Sequence, residues 1–173
     1  GTALSKRGNV VVVTLNHRLN VVGYLHLADI AGEAWAGSGV AGMLDIILAL
    51  EWVRDNIEAF GGDPGKVMIF GESGGGAKVS TLLGMPAAKG LFHRAVIQSG
   101  PGLQGVEPHD ASALAEKLLA ALGLKSDQVD KLQQMPIQQV LDAVDKLAMP
   151  PRAGAMGTPT GAVMRFAPVV DGH

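Results

Sequence analysis

An α/β fold with a mostly parallel sheet flanked by helices is predicted by three features of the sequence. The first is the four-valine run at residues 10–13 inside "NVVVVTLNHRL". A continuous β-branched run of this kind marks a strand buried on both faces. The second is an alternation of strand, helix and strand: "KVMIF" (66–70), "GAKVSTLLGMP", then "RAVIQSG" (94–100). Those spacings suit right-handed crossovers between parallel strands. The third is composition, 47% hydrophobic against 17% charged, which is apolar enough for strands covered on two sides. At 173 residues the chain is read as a single domain with room for a sizeable core.

The elements follow in order. Residues 9–19 are expected to form the first, central strand, bounded by Gly8 and Asn16. Residues 20–41 carry Gly23, Gly32, Gly37 and Gly39 at irregular spacing and read as a long loop. The clearest helix is "GMLDIILALEWVRDNIEAFGGDPGK". Its apolar positions Leu44, Ile47, Leu48, Leu50, Trp52, Val53 and Ile57 nearly encircle the first half, which predicts burial all round. Gly61 and Gly62 stop it, because glycine reaches the left-handed conformation a C-cap needs, and Asp63-Pro64-Gly65 makes a turn. The helix after residue 73 stops before Pro86.

After the third strand the sequence becomes helical. Residues 110–123 predict an amphipathic helix with Asp110 as N-cap. Residues 126–148 predict one or two more, capped by Ser126 or Asp127, with Pro136 starting the second. "MPPRAGAMGTPTG" reads as a linker and "AVMRFAPVV" as an edge strand or extended segment. The chain begins without Met and ends at "APVVDGH", so both ends are expected to be cuts in a longer protein.

Several partner classes are disfavoured. A net charge of −2 without a basic cluster argues against nucleic acid. No apolar run approaches the length of a membrane span. With no cysteine, disulfides and thiolate metal sites are excluded, and no His, Asp or Glu cluster has metal-ligand spacing. The compartment and the oligomeric state stay open.

The stretch "IFGESGGGAKVS" (69–80) places a serine between glycines directly after an apolar run. Gly71-Glu72-Ser73-Gly74-Gly75 fits G-x-S-x-G, the sharp strand-to-helix turn that pushes a nucleophilic hydroxyl clear of a sheet edge. The flanking glycines are needed because strand and helix nearly collide there. The following helix aims its positive dipole end at the site, and the Gly74 N–H stands ready to donate to an oxyanion. Two other readings compete. A phosphate cradle has a near miss in Gly71 to Gly76, but Ala77 stands where lysine is required and Lys78 comes one residue late. A plain tight turn with an incidental serine is the third reading.

"VVVTLNHRLNVVGYL", "GMLDIILALEWVRDNIEAFGGDPGKVMIFGESGGGAKVSTLL" and "LFHRAVIQSG" together resemble the type B carboxylesterases, a family of α/β-hydrolases. The resemblance runs to about residue 102 and returns at "FAPVVDG". It implies a partial α/β-hydrolase fold. Residues 1–104 would carry the core, 105–160 a cap-like helical segment and linker, and 161–173 an extended segment. It implies Ser73 as acyl-accepting nucleophile and Gly74 as an oxyanion donor, acting on small-molecule esters without a cofactor. It further implies Glu72 as a buried network carboxylate and Ser99 as its support from the next strand. Departures are Gly74 where the family usually has Ala, Asn16-His17-Arg18-Leu19-Asn20 for N-Y-R-L-G, and Val40 for a usual Asn.

In such a fold the order is serine, acid, histidine. The five histidines are 17, 26, 93, 109 and 173. His17 and His26 precede the serine and suit loop packing, and His93 suits a surface or packing role. His109 follows with a single strand between, and His173 is terminal. Neither triad partner is therefore expected in this chain, nor the family's upstream Gly-rich oxyanion loop, so the chain alone is expected to be inactive and aggregation-prone at its sheet edges. The rival reading is a non-catalytic adhesion or binding protein on the same fold; such proteins typically lose the serine.

Overall fold

The structure, a computed structural model, describes residues 1–100, 102–147 and 166–170. The chain divides into two compact units, one formed by residues 1–18 and 42–105, the other by residues 19–41 and 106–172.

The first unit opens with a helix that sequence reading did not anticipate, α1 (Thr2–Gly8), with Lys6 and Arg7 in its last turn, where the negative dipole end favours cations. Asn9 closes it in the left-handed region at φ 47°. The valine run that follows is a correction to expectation. Residues 10–19 form no strand, and Val10, Val11 and Val13 are each more than 40% exposed. A strand is made by its neighbours' ladder of hydrogen bonds, and among the described residues this run has no strand beside it. Its far end is held by a fork: the Arg18 guanidinium donates to both Asp45 carboxylate oxygens at 2.7–3.2 Å, and the Arg18 N–H adds a bond of 2.8 Å.

Asp45 lies on α4 (Ala41–Asn56), which buries Gly42, Met43, Ile46, Ile47, Leu50 and Val53. That set follows the helical period along a single stripe. Burial all round is thus not what the helix shows: Leu48 is 66% exposed and Trp52 47%, the latter meeting Phe60 with ring centroids 5.7 Å apart. The helical stretch Glu33–Phe60 is long and apolar enough to cross a membrane by length and composition only, a test that the core helix of a soluble protein also passes. Gly61 ends the helical stretch in the left-handed region at φ 80°, and the Asp63 carboxylate accepts from the Gly65 N–H at 2.8 Å.

Next come β1 (Met68–Glu72), α5 (Gly74–Gly84) and β2 (Arg94–Gln98). β1 and β2 are parallel neighbours, with Met68 opposite Arg94 and Glu72 opposite Gln98. This is the expected strand–helix–strand unit, and α5 packs on both strands. Burial on two faces is not seen. Ile69, Gly71 and Ala95 are half-buried, while Met68, Phe70 and Val96 are exposed, since nothing described covers their side of the two-stranded sheet.

In the second unit, residues 20–41 are short helices rather than a long loop: α2 (Asn20–Tyr24), α3 (Ala28–Ala31) and a 3-10 helix, Glu33–Val40. The Ser38 hydroxyl accepts from the Leu27 N–H, a local bond that tightens the segment. α6 (Pro108–Ala121) buries Ala111, Leu114, Ala115, Leu118 and Leu119. Its N-cap position is Glu107, with Pro108 as first helical residue, so Asp110 sits inside the first turn instead of capping it. Ser126–Gln134 is 3-10 with Lys125 at the cap position, and α7 (Ile137–Lys146) starts one residue after Pro136. Val169 bridges Val106 in parallel, so the described part of the last segment is extended. The linker expected over 149–161 lies outside the described residues, residues 148–165 being omitted.

Candidate active site

Ser73 stands between the last residue of β1 and the first of α5. Its backbone is at φ 53°, ψ −114°, a region that side chains with a Cβ rarely enter because of steric clash. The conformation is held from both sides. The Ser73 N–H donates to the Gln98 carbonyl at 2.8 Å, and its carbonyl accepts from the Ala77 N–H at 3.0 Å. The first bond ties the turn to β2 and the second to α5, so the chain reverses within one residue and the serine is left exposed.

Glycine makes the reversal possible, and unequally. A Cβ on Gly71 would lie 2.4 Å from the carbonyl carbon and oxygen of Gly75. A Cβ on Gly75 would meet nothing within 4 Å. The collision expected from the motif therefore falls on the glycine before the serine alone. Two glycines outside the motif share the burden. A Cβ on Gly100, after β2, would come within 2.5 Å of the Ser73 carbonyl oxygen, and one on Gly76 within 3.1 Å of the Gln98 carbonyl oxygen. Sequence reading missed both; "QSGPG" directly after the neighbouring strand was the available signal.

Gly74 is half-buried and opens α5. Amides of a helix's first turn have no partner within the helix and carry its positive end, so this N–H is free in principle to hold a developing anion. Glu72 and Ser99 sit at the same end of the sheet, Glu72 closing β1 and Ser99 directly after β2. Ser99 is a second serine in the left-handed region, at φ 50°. Glu72 is exposed, unlike the buried carboxylate the resemblance implies, because nothing described covers this end of the sheet. Lys78 turns back along α5 and donates from Nζ to the Gly74 carbonyl at 3.2 Å. Its ammonium is thus spent on the helix backbone, against its use as a phosphate-cradle lysine.

The histidines lie elsewhere. The ring Nδ1 of His93 is 3.2 Å from the Val67 N–H. Val67 precedes β1, so His93 is at the opposite end of the strand from Ser73, about 20 Å away at the rise of an extended chain. His17 Nδ1 is 2.9 Å from the Arg18 carbonyl. His26 is buried in the other unit with Nε2 3.2 Å from Asp29, whose second partner is the Ser112 hydroxyl at 2.6 Å. That hydroxyl above all, with His26, holds the Asp29 carboxyl below its ordinary range. Among the described residues no group of three His, Asp or Glu side chains could hold a metal ion.

A serine on a strained strand-to-helix turn, at the carboxyl ends of parallel strands, is the arrangement of the α/β-hydrolase class. The pattern that defines the family described as "Carboxylesterase family" matches residues 1–173, and the chain belongs to that family. It is 44% identical over 147 residues to the para-nitrobenzyl esterase of Bacillus subtilis, covering 85% of the chain and 29% of that enzyme. Over 152 residues it is 43% identical to carboxylesterase 1E of Rattus norvegicus, covering 85% of the chain and 26% of the enzyme. Among solved structures, a carboxylesterase of Geobacillus stearothermophilus superposes with a TM-score of 0.86 at 44% identity, covering all of this chain and 34% of its own. The chain spans less than a third of the length of these curated relatives.

Proposed function

We propose that the protein is a carboxylic ester hydrolase in which Ser73 is the nucleophile and the Gly74 N–H one oxyanion donor, with Glu72 and Ser99 supporting the site. Ser73 Oγ adds to the ester carbonyl while a base takes its proton. The tetrahedral oxyanion rests on backbone amides, and the alcohol departs with a proton, leaving an acyl-serine. Water then releases the acid and restores the hydroxyl. Residues 1–104 would form the core of one incomplete α/β-hydrolase domain, with 105–160 as its cap-like segment and linker and 161–173 as an extended segment. The general base and its acid are to be supplied by polypeptide other than these 173 residues, since no described histidine is hydrogen-bonded to Ser73 and the chain spans less than a third of the length of its curated relatives.

One observation carries the reading: a serine at φ 53° between strand and helix, with glycine backbone against it. A strained non-glycine residue persists only where its surroundings over-determine it, and such strain gathers at reactive sites. The test is Ser73→Ala in the full-length enzyme, assayed on p-nitrophenyl acetate. A fall in kcat of about 10⁴- to 10⁶-fold is expected, the scale of losing a triad nucleophile. The 173-residue chain by itself is expected to turn over the same ester negligibly. Full activity in Ser73→Ala would overturn the assignment of the nucleophile, and rapid turnover by the chain alone would overturn the placement of the base outside it.

A further inference from the structure

We propose that Lys78 is a positioning residue for the oxyanion amide, an inference that rests on the ester-hydrolase reading. α5 begins with Gly74, Gly75 and Gly76, and glycine is a poorer helix former than alanine. The oxyanion donor is thus carried on the most mobile kind of helix start. Precision at the site therefore needs an added constraint.

Lys78 supplies one. Its Nζ donates to the Gly74 carbonyl at 3.2 Å, and a Cβ built on Gly74 would lie 3.8 Å from the same nitrogen. The ammonium accordingly rests against the oxyanion residue itself. Its position is locally unfavourable in two ways. Lys78 is the fifth residue of α5, and its ammonium reaches back to the first, where a cation opposes the helix dipole. The side chain is also half-buried, and burial lowers the lysine pKa from its ordinary value. A lysine without a task would extend into water, whereas this one folds back onto the turn.

The bond acts on the turn from the far side. Ser73 is already fixed through the Gln98 carbonyl and the Ala77 N–H. Lys78 adds a side-chain bond to the carbonyl of the next peptide, the one that directly follows the Gly74 N–H.

The test compares wild type, Lys78→Met and Lys78→Arg in the full-length enzyme, using p-nitrophenyl acetate turnover, fluorophosphonate labelling rate, thermal midpoint, and amide exchange of peptides covering residues 73–78. Lys78→Met is expected to lower kcat and the labelling rate about tenfold with KM changed less than about twofold, the signature of a contact that matters in the transition state. Exchange across residues 73–78 should quicken, the thermal midpoint should hold, and Lys78→Arg should recover most of the loss. Unchanged kcat and exchange in Lys78→Met would overturn the proposal. So would a joint fall of kcat and thermal midpoint without rescue by arginine, which marks a merely structural role. A wild type that takes no label would instead overturn the hydrolase reading, and exchange tells the two failures apart because it needs no turnover.

Discussion

The Gly71–Gly76 turn and the Val10–Val13 run are both conspicuous in the sequence, yet only one has its expected form. The turn is fixed by close approach: Ser73 takes φ 53° where Gly71 and Gly100 let backbone approach backbone at distances real Cβ atoms essentially never show, and Gly76 adds a contact just outside that limit. The valine run carries an equally strong local preference but no ladder, and three of its valines lie more than 40% exposed. Steric exclusion acts on the chain itself, while a strand needs a neighbour to complete it. The serine turn has both its close approach and the neighbouring strand it leans on, whereas the valine run has no strand beside it among the described residues.

The sharpest way to break this contrast is to restore the missing methyl groups. Gly71→Ala places a Cβ 2.4 Å from Gly75 backbone, and the strand or helix must move. If the proposed ester hydrolysis holds, this is expected to lower kcat of the full-length protein on p-nitrophenyl acetate by about 10²-fold or more, the scale of an ångström-sized misplacement. Gly75→Ala meets nothing within 4 Å. It should leave kcat within about threefold and stabilise the helix start by about 0.5–1 kcal/mol. Equal damage from the two substitutions would show that the collision is not one-sided.

A smaller effect is expected where the valine run is tethered. The Arg18–Asp45 fork is about half-exposed on the arginine side, so its strength is discounted for screening by solvent. Asp45→Asn is expected to cost about 1 kcal/mol, read as a thermal midpoint lower by roughly 2–4 °C near neutral pH. The hydrogen bond from Arg18 holds the Asp45 carboxyl below its ordinary value. A depressed carboxyl stabilises the fold above the unfolded pKa of about 3.9 and loses that contribution as pH falls through its folded value. The difference between wild type and Asp45→Asn should therefore shrink on acidification below about pH 4. A difference that grew there would contradict the sign.

How legible each part was follows from the same distinction. The strand–serine–helix turn, the Gly61 stop and the Asp63 turn rest on glycine, proline and Asx chemistry that acts locally, and the structure has all of them, while β2 has the paired neighbour a strand needs. Leu48 and Trp52 were read as buried because helical periodicity counts apolar residues and cannot tell what lies opposite them. Residues 20–41 were read as loop because scattered glycines masked three short helical segments whose buried residues, Val21, Tyr24 and Val40 among them, are not spaced at a recognisable period. α1 escaped notice behind the valines. At the candidate site the serine and its next glycine were visible in a five-residue motif, whereas Gly100 and Lys78 act through contacts across the turn that the motif does not encode.

The most direct measurement is mass spectrometry of the full-length protein after treatment with a fluorophosphonate. One equivalent of adduct on the peptide carrying Ser73, absent in Ser73→Ala, is the expected result. A folded enzyme that stays unmodified, or carries its adduct on another serine, would contradict Ser73 as the nucleophile.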